Sequence, residues 1–570
     1  MTAPTDAAAD PQRPNVILVM TDDQGYGDLG CTGNPWIHTP QIDAFHDDCL
    51  RLTDFHVSPL CTPTRGALMS GRRPLRNGAW ATTWGRSFLR RDDATMADVF
   101  RAGGYRTGMF GKWHLGDNYP YRPQDRGFDH VVAHKGGGVG QTPDFWGNDY
   151  FDDTYFHNGR EVAHDGYCTD IWFDEAMAWL DDDDDDDRPF FCYLATNAPH
   201  SPYLVADHYT KPYADNDNIP HPPFYGMITN IDENFGRLRR FLHERGLERD
   251  TILIFMTDNG SSGGCELDAD DFVTNGYNAG MRGRKGSYYD GGHRVPFFVR
   301  WPAAGLCGGR ELGDLALHLD LLPTFIDLCD LPAPDNALDG RSLAGRLTGA
   351  DGPLPDRLAF LQYRQNTRPP EKWTNAVISQ RWRLIHGREL YDIQADPGQT
   401  NDCAADHPDV VARLRHAHEQ WWDEVAPALE DYCPIVIGHE AENPTRLDAF
   451  DLMGDVAWNQ RHIRNALRAN GRWHVHVHAA GRYEFRLQRW PDEAGTPIRQ
   501  ALQDGRGTPV PAARARLQIA GVDAEDDVAA DAAAVAFEAD LPAGRTTLQA
   551  DFVTDDGTVC AAYYVYVRRL

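Results

Sequence analysis

Four short apolar runs bounded by polar clusters constrain this chain more than any other feature. Residues 15–20 (NVILVM) end at Thr21, Asp22 and Asp23, residues 189–196 (PFFCYLAT) lead into Asn197, Ala198, Pro199 and His200, and residues 251–257 (TILIFMT) lead into Asp258, Asn259 and Gly260. The fourth run, 295–301 (VPFFVRW), follows a glycine-rich stretch. Uninterrupted apolar runs of this kind are the pattern of strands buried on both faces. Between them apolar residues recur at helical steps, as with Ile228, Ile231, Phe235, Leu238 and Leu242 within 225–242. Alternating strands and helices predict an α/β fold whose sheet is covered on both faces. Ligands bind such sheets beyond the carboxyl ends of the strands, where these polar clusters fall.

At 570 residues the chain exceeds one simple core. Residues 1–13 read as a flexible leader and 14–353 as the main α/β unit. A smaller α+β subdomain is expected over 354–439, where ELYDIQADPGQTNDC (389–403) precedes a helix through Trp421 and Trp422. Period-two alternation in 473–491, 534–542, 546–553 and 561–569 predicts an appended β-sandwich over 440–570. The seven aspartates Asp181 to Asp187 read as a solvated loop.

A formal charge of -30, from 85 acidic against 55 basic residues, argues against nucleic acid as a partner. An anionic substrate stays open, because a few convergent cations can reverse the field inside one cleft. The 11 cysteines show no CxxC and no regular spacing, so they form no disulfide framework. No apolar run approaches a membrane span and no signal peptide is visible, which makes a cytoplasmic, reducing setting the expectation.

Asp22, Asp23, Asp258 and Asn259 bring three carboxylates and one amide oxygen to two strand ends, a hard-oxygen set suited to Ca²⁺ or Mg²⁺. Each taken singly also fits an N-cap or turn. Lys112 and His114 alternate on an extended segment, so both can face one crevice. His200 sits between two prolines at a strand end, and Lys285 lies in a basic glycine-rich stretch with Arg282 and Arg284.

The segment Cys61-Thr62-Pro63-Thr64-Arg65-Gly66 resembles the sulfatase signature Cys-x-Pro-x-Arg. The resemblance runs over about residues 14 to 403, through PNVILVMTDDQGYGDLG, GYRTGMFGKWHLG, APHSPY, TDNG and RGRKGSYYDGGHRVP, in the family's order. It implies an alkaline-phosphatase-like fold with a mixed, mostly parallel sheet between helices. It also implies that a dedicated maturation enzyme oxidises Cys61 to formylglycine, and that Asp22, Asp23, Asp258, Asn259 and residue 61 hold one Ca²⁺. One hydroxyl of the hydrated aldehyde would attack sulfur while Lys112, Lys285 and the cation spread charge on the sulfate oxygens. His200 would protonate the departing alkoxide. His114 would help the second hydroxyl expel sulfate, and Arg65 would orient residue 61.

Substrate choice must come from outside this shared set. The expected walls are residues 77–88 and 134–156, with Trp80, Trp84, Trp146 and Tyr150 stacking on a sugar or aryl group and Arg86 or Lys135 reaching another anion. A sulfated carbohydrate is the expected substrate. Related superfamily chemistries (arylsulfatase, phosphodiester or phosphonate monoester hydrolase) and an inactive sulfated-glycan-binding protein are the alternatives. His474, His476 and His478 share one strand face, which either binds a metal or is simply polar.

Overall fold

The computed structural model describes residues 13–182, 188–502 and 504–570. Most of the expected leader, and Asp183 to Asp187 of the aspartate run, lie outside the described residues.

The core is a ten-stranded sheet in the order Arg310–Leu312, Leu50–Leu52, Phe297–Arg300, Thr251–Thr257, Asn15–Thr21, Phe190–Ala195, Arg106–Lys112, His130–His134, Thr154–His157 and Arg160–Ala163. The five strands from Thr251–Thr257 through His130–His134 are parallel. Antiparallel pairs flank them on both sides. All seven residues of Thr251–Thr257 and all six of Phe190–Ala195 are buried, as their unbroken apolar runs require.

Two cores account for that burial. Val16, Leu18 and Met20 face one side, with Leu68, Met69, Phe100 and Phe325. Ile17 and Val19 face the other, with Ile42, Phe45, Trp172, Met227, Ile231 and Phe235. Each such side chain contributes roughly 1.5–3 kcal/mol by leaving water. The predicted helix over 225–242 extends to Pro222–Glu244, with prolines in its first turn, where a missing N–H costs nothing.

Register decides what meets at the carboxyl edge. Thr21 pairs with Thr257, so Asp22 and Asp258 emerge side by side although they are far apart in the chain. On the other flank Gly111 pairs with Ala195 and Lys112 with His134.

Strands Ala359–Leu361, Ala376–Ile378, Trp382–Ile385 and Glu389–Asp392 form a four-stranded antiparallel sheet, followed by the helix Pro408–Val425. Beyond it two sheets enclose one core containing Trp473, Phe485, Leu517, Phe537, Leu548 and Val565. One of them includes Ile435–Ile437, ahead of the expected boundary at 440. The hairpin Ala512–Ile519 and Val522–Asp527 lies outside the segments expected as strands; in its second strand, VDAEDD, only Val522 and Ala524 pack against the core and the rest is an exposed edge. His474 and His476 stand on the outer face of Asn470–Val477. His474 stacks on Tyr432 at 4.0 Å, and His478, just past the strand, meets His439 edge-on.

Candidate active site

Cys61 opens the helix Cys61–Ser70, whose ten residues are all buried. Pro63 lies in the first turn, where it breaks no intrahelical bond, and Gly71 ends the helix in a left-handed conformation (φ 63°). The positive end of the helix dipole therefore lies at residue 61, facing the strand ends. Ligand atoms of Cys61, Asp22 and Asp258 lie within 4.8 Å of one another. Burial pushes the Cys61 thiol above its ordinary range, against the opposing pull of Lys112 and Lys285.

Three cations meet three carboxylates around that point. Lys112 Nζ donates to Asp22 Oδ2 at 2.7 Å, and Lys285 Nζ donates to Asp23 at 2.7 Å. Arg65 donates to Asp258 Oδ2 from Nε and Nη2, and from Nη1 to the Lys112 carbonyl at 3.0 Å. Burial alone would raise the Asp23 carboxyl, yet Lys285, His200 and Lys112 together hold it well below the usual range. Burial and the neighbouring Asp22 push Asp258 up to about 6.

The histidines have defined working nitrogens. His200 Nδ1–H donates to the Ser201 carbonyl at 2.6 Å, leaving Nε2 turned to Asp23, 3.7 Å from Oδ2. His114 Nε2–H donates to the Thr82 carbonyl at 2.9 Å, so Nδ1, buried with no hydrogen-bond partner, keeps its lone pair. Burial lowers His200 to about 4 and, with Lys112 beside it, lowers His114 well below the ordinary imidazole range. Asp23 (φ 71°) and His114 (φ 58°) both take left-handed backbone, a strain that clusters at functional sites.

The residues suit a divalent cation. Asp22 Oδ1 and Asn259 Oδ1 are buried oxygens without a hydrogen-bond partner, an arrangement that costs about 1–3 kcal/mol per group unless something else satisfies it. Asn259 Nδ2 donates to Asp23 Oδ1 at 2.9 Å, which fixes the amide so that its oxygen is presented with the carboxylates.

Several neighbours of this set carry no sequence signal of their own. Tyr193 Oη accepts from Arg65 at 3.4 Å, and Tyr150 Oη donates to the His200 carbonyl at 3.2 Å. Tyr150, expected on a substrate wall, is 1% exposed and thus braces the His200 loop instead. Other expected wall residues are corrected too. Trp80 is buried with Leu75, Trp421 and Val425, and Arg86 lies 3.5 Å over the Tyr432 ring and 4.9 Å from Trp80. Trp146 packs edge-on against Trp490 of the C-terminal sheets. These large rings sit where two units meet, and burial there outweighs exposure to a ligand. Trp84 remains half-buried, its backbone N–H donating to the Phe450 carbonyl at 3.2 Å. Lys135 lines a separate cavity of about 190 Å³ with Asp117, Arg122 and Glu442.

The family model for sulfatases matches residues 14–331, and the model for the N-sulphoglucosamine sulphohydrolase C-terminal region matches residues 284–422. Arylsulfatase A of Homo sapiens is 32% identical over 383 residues, covering 61% of this chain and 70% of that protein. N-acetylgalactosamine-6-O-sulfatase of Bacteroides thetaiotaomicron is 28% identical over 504 residues, covering 72% and 93%. The solved structure of Ps i-CgsB in complex with k-i-k-neocarrahexaose aligns with a TM-score of 0.64 at 27% identity, over 72% of this chain and 93% of that one. Phosphonate monoester hydrolase of Agrobacterium radiobacter shares the fold (TM-score 0.53, 20% identity, 73% and 96% covered). Together with the strand-end constellation around Cys61, these matches establish that the chain belongs to the sulfatase family and is a sulfuric ester hydrolase.

Proposed function

We propose that this enzyme removes sulfate from a sulfated carbohydrate, using residue 61 as formylglycine and one Ca²⁺ held by Asp22, Asp23, Asp258, Asn259 and residue 61. The observation that carries the reading is the convergence of Cys61, the first residue of a buried helix, with the two adjacent strand-end carboxylates Asp22 and Asp258. Once oxidised by a maturation enzyme, residue 61 would offer two hydroxyls on one carbon. The cation would polarise sulfate oxygens and activate that nucleophile.

The fixed charges support this use. Asp22, Asp23 and Asp258 offset Lys112, Lys285 and Arg65, so an added divalent cation makes the crevice positive and complementary to an anionic ester. Lys112 and Lys285 bind the sulfate oxygens, and Arg65 orients the helix start and Asp258. With Nδ1–H committed to the Ser201 carbonyl, His200 acts as the acid in its doubly protonated form, which the Asp23 carboxylate favours, and passes the Nε2 proton to the departing sugar oxygen, while His114 Nδ1 takes one up near residue 61. The carbohydrate reading draws on relatives named as N-acetylgalactosamine-6-sulfatases and an ulvan-active sulfatase. No helix among the described residues is long and apolar enough to cross a membrane; the cytoplasmic reading draws on the 11 cysteines, all of them free thiols.

The test is anion chromatography of sulfate and phosphate released from matched sugar and aryl esters, using protein co-produced with the maturation enzyme. Sulfate release from sugar esters that vanishes in Cys61→Ala supports the reading, as does mass spectrometry finding the aldehyde at residue 61. Phosphate release alone, or full turnover with an unoxidised Cys61, would refute it.

A further inference from the structure

The C-terminal sheets lie beyond both family models, the second of which ends at residue 422, yet they reach the catalytic histidines. The link is the glycine-rich loop of residues 136–147. Gly137 lies flat against the His114 ring: a Cβ there would stand 2.3 Å from Cε1 and 2.6 Å from Nε2. A Cβ on Gly138 would stand 3.7 Å from His200 Nδ1. The loop thus covers both imidazoles with backbone alone. Inside it, Gly137 N–H donates to Gln141 Oε1 at 2.8 Å.

Asp117 Oδ2 holds the start of this loop, accepting from Gly136 N–H at 2.9 Å, and the C-terminal unit fixes much of the rest from outside. Gln460, 2% exposed, spends three of its polar groups on it. Its backbone N–H donates to the Gly140 carbonyl at 3.3 Å, and Nε2 donates to the carbonyls of Gln141 (3.3 Å) and Phe145 (2.9 Å). Its Oε1 accepts from Gly147 N–H at 3.0 Å. The Trp458 carbonyl accepts from Thr142 N–H at 3.1 Å, and the Ala457 carbonyl accepts from the Thr142 hydroxyl. Arg446 Nη2 and Tyr564 Oη both donate to the Thr142 carbonyl, at 3.0 and 3.1 Å. A second contact is direct: the buried Phe450 ring lies 6.1 Å from that of His114.

We propose that the C-terminal β-sandwich is a positioning element of the active site, with Gln460 as its main positioning residue, holding the 136–147 loop against His114 and His200. The glycine stretch 136–138 has no side chains of its own to pack, so its shape is imposed by hydrogen bonds and by residues 139–147, which the C-terminal unit holds. The consequence is specific to chemistry. A sugar alkoxide is a poor leaving group and needs the His200 proton, whereas a nitrophenolate departs without one. The inference rests on the proposed role of His200 in sulfate-ester hydrolysis.

Gln460→Ala, and Gln460→Glu, which keeps the acceptor but loses both side-chain donors, are assayed beside the mature wild type on a sugar sulfate and a nitrophenyl sulfate. The expected result is a fall of about 10- to 100-fold in kcat on the sugar sulfate, with KM within about threefold and a loss on the nitrophenyl ester at least about threefold smaller, since His114 serves a step common to both esters whereas general-acid assistance, worth about 10²–10⁴ in rate, serves only the poor leaving group. Equal loss on both esters, tracked by a lower Tm, means a merely structural contact and overturns the proposal, as does no loss on either. His200→Ala separates the two claims: if it slows both esters equally, the role of His200 itself is wrong, and the inference falls with it.

Discussion

Arg65 holds Asp258 from two nitrogens: Nε and Nη2 donate to the same oxygen, Oδ2, at 3.1 and 2.8 Å, and both side chains are shut off from solvent. The pair locks the start of the Cys61 helix to the end of the strand Thr251–Thr257. Arg65→Lys keeps the charge but cannot fork, and it forfeits the bonds to the Lys112 carbonyl and Tyr193. The expected outcome is turnover lowered at least about 100-fold with a stability loss smaller than that of Arg65→Ala, which strands a buried carboxylate at about 3–5 kcal/mol. Urea unfolding alongside sulfate release measures both. Near-wild-type turnover in Arg65→Lys contradicts the account.

The orphan oxygens of Asp22 and Asn259 predict linkage between cation and stability. At a free cation concentration about 100 times Kd, binding adds about 2.7 kcal/mol. Chelator should therefore lower Tm by several degrees and abolish sulfate release, and Ca²⁺ should restore both. In Asn259→Ala the difference in Tm between chelated and Ca²⁺-loaded protein should shrink. An unchanged difference would place the cation elsewhere.

Gly137 has no room for a methyl group beside His114. Gly137→Ala should shift that imidazole and lower kcat by about 10- to 100-fold, because misplacement of a reacting group by about 1 Å costs on that order. Circular dichroism and Tm should change little. Unaltered kcat would mean that the loop yields instead of the histidine.

Burial holds His293 down to about 3 and His318 down to about 4, both below the ordinary imidazole value. The folded state therefore favours their neutral forms. Their stabilisation is complete above about pH 6.5 and is lost as pH falls towards 4, because the unfolded chain takes up protons first; at about pH 5 each accounts for on the order of 2 kcal/mol. Tm should drop between pH 7.5 and 5, and drop less in His318→Gln, which cannot be protonated. The same drop in both proteins would show that other groups govern acid sensitivity.

The parallel core and the polar residues at its strand ends were legible because each depends on local pattern. NVILVM, PFFCYLAT and TILIFMT bury both faces, so periodicity alone marks them as central strands, and Asp22, Asp258 and His200 follow directly from their ends. Trp80, Arg86 and Trp146 misled because an aromatic or a guanidinium in a long insertion has the same composition whether it lines a pocket or seals an interface. Which of the two happens is set by the partner, Trp421, Tyr432 or Trp490, which lies hundreds of residues further along the chain.

The sequence by itself determined the family and the candidate site: Cys61 in its signature, the strand-end oxygens, the lysines and histidines, and strands that must deliver them to one edge. Only the tertiary structure decided how the C-terminal unit bears on that chemistry. Gly136, Gly137 and Gly138 have no side chains to declare their contacts, and the loop's anchors at Arg446, Gln460 and Tyr564 act on backbone carbonyls and amides, which no sequence pattern reveals.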